Sequence, residues 1–237
     1  FIGNVEPSTR SVSTALNANL ASLFTGGAPT LTSAEIKEVN DAYAKMTSIN
    51  CYRNIDEAVR NKTSYAGTIF LDDTYASAYF RKGSLAFPPY GILASSMEHE
   101  FIHMYQRDVQ GKKVDTDKEK RDTGMMEFEL AFYQGIIRYI HAGYSWTFKG
   151  EDGDPSYQSL WTSGLTDPSL IPQYEREFQT YVASICANGK PTSIDINEFV
   201  KWSNIFGEYS RGYSGKGYKF GNYDYGTSCI NSLLKLY

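Results

Sequence analysis

Apolar positions recur every three to four residues along much of the chain, the period of an amphipathic helix. The stretch STRSVSTALNANLASLF (8–24) shows this period and halts at Gly26-Gly27. TSAEIKEVNDAYAKM (32–46) repeats it, with Thr32 or Ser33 as the cap and Glu35 completing an N-terminal signature. NIDEAVRN (54–61) continues the helical series. The pattern then changes. YAGTIFLDD (65–73) and ASAYFRKGSLAF (76–87) are short, aromatic and β-rich, and predict two or three strands of a small antiparallel sheet. Pro88-Pro89 closes that section, and a helix is expected from Tyr90 or Gly91 to about Val109.

Helical spacing dominates the second half. TGMMEFELAFYQGIIRYIHAG (123–143) is apolar on most sides, which predicts a buried helix ending at Gly143. PQYEREFQTYVASICANG is bracketed by Pro172 and Gly189. DINEFVKWSNIFG has Asp195 as its cap and Gly207 as its expected stop. GKKVDTDKEKRD (111–122) reads as a solvated loop of mixed charge, EDGDPSYQSLWTSGLTDPSLIP (151–172) as a loop, and SRGYSGKGYKFGNYDYGTS (210–228) as a Gly/Tyr loop. The expected class is α+β, mainly helical, with the small sheet preceding the helix at 90–109. No stretch reads as an interdomain linker, so one domain is expected over 1–237. Its parts are an N-terminal helical part (1–62), a core (65–142) and a C-terminal helical part with the Tyr/Gly loop (143–237).

Composition narrows the function classes. With 41% hydrophobic residues in 237, the chain can bury a real core. A net charge of −4 offers no basic face for nucleic acid. No apolar run is long enough for a membrane span. The chain begins at Phe1 and carries no leader-like stretch, which reads as a processed mature form or a trimmed fragment; plentiful Tyr, Asn, Gly and Ser with few cysteines favour an exported protein of the cell envelope or medium. Cys51, Cys186 and Cys229 form no CxxC pair and read as small buried hydrophobes.

The chemistry concentrates in SSMEHEFIHMYQRD, which contains His99, Glu100 and His103 in the order H-E-x-x-H. Residues four apart on a helix differ by about 40° around the axis, so the two imidazoles project from one face at a distance one cation bridges. Neutral imidazole suits zinc, and Glu100 flanks such an ion in the position of a base. Gln106 lies within about 20° of His99 and is expected to support the site through a hydrogen bond. A catalytic zinc takes three protein ligands. The positions of a third histidine and glycine in an extended motif are Val109 and Gln106, so that version is absent, and His141 reads as structural or supporting. The next helix offers Glu127 and Glu129, acids in a strongly apolar sequence. They lie about 200° apart and cannot both face one ion. Glu127 shares its face with the small Ala131 and is preferred; Glu129 is the alternative third ligand.

HEFIHMYQ followed by EFELAFYQ resembles zincin metallopeptidases of the gluzincin type, in which H-E-x-x-H on one helix is completed by a glutamate on the following helix. The pair is similar to uncharacterised secreted zincin-like proteins of bacteria with an H-E-x-x-H-x-x-Q opening. The resemblance covers roughly 65–142. It implies a secreted zinc metallopeptidase acting on a peptide or protein, with one zinc ion held by His99, His103 and Glu127 and with Glu100 as general base. An aspartate often found four residues after the ligand glutamate is here Ala131. A donor to the developing oxyanion is expected from Tyr213, Tyr218, Tyr223 or Tyr225, and ASAYFRKGSLAF is the candidate strand for pairing with extended substrate. The alternative is a catalytically silent domain of the same type that binds peptide or glycan with its aromatic loops.

Overall fold

A computed structural model describes residues 15–112, 121–141, 166–186, 189–210 and 212–237. The expected start of the first helix (8–14), most of the charged loop (113–120), the expected helix stop at Gly143 and residues 151–165 of the loop at 151–172 lie outside them. The protein is α+β: mostly helical, with one small three-stranded sheet among the described residues. Contacts divide the chain into two compact units, Phe1–Phe101 and Ile102–Tyr237. Among the described residues no helix is long and apolar enough to cross a membrane.

The first unit begins with three helices: α1 (Ala18–Leu23), α2 (Ser33–Thr47) and α3 (Asn50–Lys62). α1 starts later than its apolar period suggests, because the Asn17 side chain accepts from Asn19 N and caps it there. Thr32 caps α2 in a complete capping box, with the Glu35 carboxylate returning to the Thr32 backbone. Val39, Tyr43 and Met46 of α2 and Ile55 and Val59 of α3 are buried. Between these helices sits a polar knot: Tyr43 OH donates to Asp56 Oδ2 at 2.8 Å, and Arg60 Nε donates to the same oxygen at 3.0 Å.

The sheet has the order β1-β3-β2, with strands Ile69–Leu71, Tyr79–Arg81 and Ser84–Phe87. It is mixed, where the sequence suggests antiparallel. β2 and β3 form an antiparallel hairpin, whereas β1 pairs with β3 in parallel. Two features explain this. Lys82 and Gly83 both have positive φ, 51° and 78°, the conformation that closes a two-residue hairpin. Leu85, Ala86 and Phe87 are all buried, so β3 is a central strand and needs a partner on each edge.

After Pro88-Pro89, α4 (Ala94–Met104) begins a few residues later than expected and carries the H-E-x-x-H motif. The boundary between the units falls inside α4, whose backbone is continuous. A π-helical turn (Tyr105–Val109) follows, closed by Gln110 N donating to Tyr105 O at 3.0 Å.

The second unit is built around α5 (Arg121–His141). α6 (Ile171–Ile185) carries Pro172 in its first turn, and α7 (Ile196–Tyr209) is capped by Asp195, whose side chain accepts from Asn197 N at 2.8 Å. A short α8 (Ser228–Leu234) ends the chain. Phe128 and Phe132, one turn apart on α5, anchor an aromatic core with Phe178, Phe199 and Phe206 at centroid distances of 5.0 to 6.0 Å. Gly207 does not stop α7. A Cβ there would lie 2.2 Å from the Phe220 ring, so glycine admits the Tyr/Gly loop against the helix. Gly124 plays the same part on α5, where a Cβ would lie 2.9 Å from Lys219 O. Cys51, Cys186 and Cys229 are all buried thiols.

Candidate metal centre

His99 and His103 stand one turn apart on α4, and Glu127 sits in the first half of α5. One ligand atom from each of the three lies within 4.8 Å of the others. His103 Nε2 is 3.3 Å from Glu127 Oε1. That distance matches the edge of a tetrahedron with zinc–ligand bonds of about 2 Å, which is about 3.3 Å. The donor set, two imidazoles and one carboxylate, is the chemistry zinc accepts while leaving a fourth position open. The three residues therefore fit a single divalent ion. All three are partly exposed.

The rotation of α5 decides which acid joins the group. Phe128 and Phe132 face the aromatic core, and Glu127 and Glu129 project to either side of Phe128, each about 100° away. Glu127 meets His103. Glu129 is fully buried and lies outside the group. Its Oε2 accepts from Gln106 Nε2 at 2.8 Å and from Tyr225 OH at 2.9 Å. Burial pushes its carboxyl pKa up, against hydrogen bonds from Cys229, Gln106 and Tyr225 that pull the other way.

Glu100 is buried next to His99, its Oε1 3.9 Å from His99 Nε2. Its adjacency in sequence sets it beside the histidine pair rather than in line with it.

Gln106 is wholly buried in the π turn and joins three groups. Its Oε1 faces His103 Nδ1 at 2.8 Å, and its Nε2 donates to Met126 O at 2.9 Å and to Glu129 Oε2. With Nδ1 engaged, Nε2 of His103 is the nitrogen turned toward Glu127. Gln106 thus supplies the orienting partner that Ala131 cannot.

The four tyrosines of the C-terminal loop occupy different places. Tyr213 OH donates to Glu127 Oε2 at 2.7 Å, leaving Oε1 toward His103. The Tyr213 ring packs at 5.1 Å from Phe206 and 5.3 Å from Tyr218, so Tyr218 buttresses Tyr213. Tyr223 is 57% exposed, and the Tyr225 hydroxyl serves Glu129. His141 ends α5 with its ring 5.9 Å from Tyr237, outside the ligand group. The stretch proposed for substrate pairing divides into β2, an edge strand, and β3, whose two edges are both paired.

Spacing on α4 identified Gln106. The hydroxyl of Tyr213 on Glu127 joins residues 86 apart, and only the abundance of loop tyrosines pointed toward it. The part played by Tyr225 on Glu129 was not foreseen. The one available signal was an acid in an apolar helix that required donors from elsewhere.

No family model matches the chain, and no curated protein and no solved structure matches it.

Proposed function

We propose that the protein is a zinc-dependent metallopeptidase of the gluzincin type, exported to the envelope or medium. One zinc ion would be held by His99, His103 and Glu127. The observation that carries this reading is the convergence of those three ligand atoms within 4.8 Å of one another, next to the buried carboxylate of Glu100. A group kept for structure alone has no use for a base beside an open position.

When bound, zinc supplies Lewis acidity that polarises a peptide carbonyl and brings the acidity of a water near neutrality. The chain's own residues do the rest. Glu100 accepts the proton of the attacking water at its carboxylate and delivers it to the departing amine. Gln106 holds His103 with Nε2 toward the ligand group. Tyr213 fixes Glu127 through Oε2, its hydroxyl donating there. Extended substrate would add to β2, since β3 has no free edge. A second reading, a silent domain of the same type that binds peptide or glycan, draws on the exposed Tyr223 ring of the aromatic loop.

The test is metal analysis of protein purified without added zinc, followed by digestion of a denatured-protein mixture with wild type and Glu100→Gln. The expected result is one zinc per chain in both proteins, with cleavage by wild type and a loss of about 10²–10⁴-fold in the variant. Absence of stoichiometric metal would end the reading. Metal without cleavage by either protein would favour the binding domain.

A further inference from the structure

Glu129 is a fully buried acid that contributes no atom to the ligand group. What it does follows from the donor and acceptor inventory of the side chain between it and His103. The Gln106 carboxamide has one oxygen that only accepts and one nitrogen with two hydrogens that only donate. In the structure Nε2 is aimed at two acceptors, Met126 O at 2.9 Å and Glu129 Oε2 at 2.8 Å. Each takes one of the two hydrogens. The oxygen is left facing His103 Nδ1 at 2.8 Å. Turning the amide over would set its oxygen against two other oxygens and abandon both bonds, so the orientation is fixed by its partners.

The character of Glu129 Oε2 is fixed as well. It already receives the Tyr225 hydroxyl at 2.9 Å in addition to Gln106, so it is an acceptor toward both. Tyr225 is held in turn. Lys112 Nζ donates to Tyr225 O at 2.8 Å and lies 3.8 Å from the centroid of its ring, and the ring stacks on Phe199 at 6.3 Å. A carboxamide oxygen facing Nδ1 accepts only from a protonated Nδ1. When His103 is neutral its one ring proton is therefore on Nδ1, which leaves the lone pair on Nε2, the atom 3.3 Å from Glu127 Oε1.

We infer that Glu129 is a positioning residue of the metal centre. Acting through Gln106, and braced by Tyr225, it holds His103 in the Nδ1–H tautomer that leaves Nε2 as a ligand. The inference rests on the metal-centre reading of the His99, His103 and Glu127 group. It gives the C-terminal turn around Tyr225 a part in metal affinity although that turn supplies no ligand. Partners of this kind typically change metal affinity 10–100-fold.

The experiment reads the tautomer directly. In zinc-free protein near pH 8, long-range nitrogen–proton correlations of the imidazole rings report which nitrogen is protonated, and His103 is assigned by its absence in His103→Gln. Wild type is expected to show Nδ1–H. Glu129→Leu leaves one amide hydrogen of Gln106 without its acceptor and holds the amide at Met126 alone. That variant is expected to show mixed tautomers and, by chelator competition, zinc affinity about 10–100-fold weaker. Glu129→Gln restores an acceptor oxygen and is expected to rescue both readouts. Tyr225→Phe should weaken affinity about 3–10-fold.

An Nε2–H His103 in wild type would overturn the inference, and that measurement stands even if Glu129→Leu does not fold. So would Glu129→Leu with unchanged tautomer and affinity, or Glu129→Gln as weak as Glu129→Leu. Wild type that binds no zinc would end the metallopeptidase reading. The tautomer spectra would still decide the relay, which is sustained if Nδ1–H in wild type is lost in Glu129→Leu.

Discussion

Each unit of the molecule buries one carboxylate beneath a tyrosine hydroxyl. In the first, Tyr43 donates to Asp56 at 2.8 Å; in the second, Tyr225 donates to Glu129 at 2.9 Å. Both acids have a raised pKa, with loss of hydration as the first cause. They differ in the remaining partner. Asp56 meets Arg60, a cation four residues along its own helix, and the network closes on itself. Glu129 meets Gln106, whose other end is on His103. The same local chemistry is a staple in one place and a linkage to a candidate metal centre in the other. What decides between them is the neutral amide, which passes on a direction where an ammonium or guanidinium would only neutralise a charge.

The comparison breaks most visibly when its first member is removed. Asp56→Ala strands the Tyr43 hydroxyl and the Arg60 guanidinium, and is expected to cost about 2–3 kcal/mol in denaturant unfolding. Zinc affinity should be unchanged, and a parallel loss of metal would mean that the first unit's staple is not local. Of the same size is Glu127→Ala. Apparent binding energies of about 10–16 kcal/mol shared among the ligands of a zinc site imply about 3 kcal/mol each, or roughly a hundredfold in affinity. Chelator competition should find that loss while the metal-free protein unfolds at nearly the wild-type denaturant concentration. The partly exposed Glu127 would then be the mirror of Asp56, all affinity and little stability.

These differences mark where the sequence was legible. Thr32 and Asp195 were read correctly as caps, and positions related through one helix were legible: His99 and His103 stand one turn apart, with Gln106 Oε1 against His103 Nδ1. Backbone geometry alone sets such relations. The preference for Glu127 over Glu129 leaned on a small neighbour, Ala131, and the structure sets a Glu127 oxygen within 4.8 Å of both histidines. What was not legible depends on packing between distant segments. Glu127 meets Tyr213 across 86 residues, and Glu129 meets Tyr225 across 96. With 19 tyrosines in the chain, no spacing rule selects those two. Gly207 looked like a helix stop because glycine commonly is one, yet it is the flat spot that receives Phe220. The parallel pairing of β1 with β3 follows from which strand is buried on both sides, which alternation in so short a segment cannot reveal.

Tyr213→Phe sharpens the contrast further. The ring remains packed on Phe206 and Tyr218, and only the hydroxyl on Glu127 Oε2 is lost. The expected effect is one hydrogen bond to a charged group, about 1.5 kcal/mol, or roughly tenfold in zinc affinity. Tyr43→Phe, the matching change in the first unit, should lower unfolding stability by a similar amount and leave the metal alone.

The smallest effect is a slope. Burial raises the Asp56 pKa above its ordinary 3.8, against the pull of Tyr43 and Arg60. The folded chain therefore holds this proton to higher pH than the unfolded chain. The group's contribution to stability is complete below the unfolded pKa and is lost as pH rises through the folded one. Asp56→Asn does not titrate. The stability of wild type relative to Asp56→Asn should thus decline as pH climbs from about 4 and level off above the folded pKa. Denaturant unfolding of both proteins across that range measures it. A relative stability that rises with pH instead would show Arg60 outweighing the loss of hydration. Asp56 would then be a true ion pair, and its likeness to Glu129, which has no cation at hydrogen-bond distance among the described residues, would fail at the raised pKa.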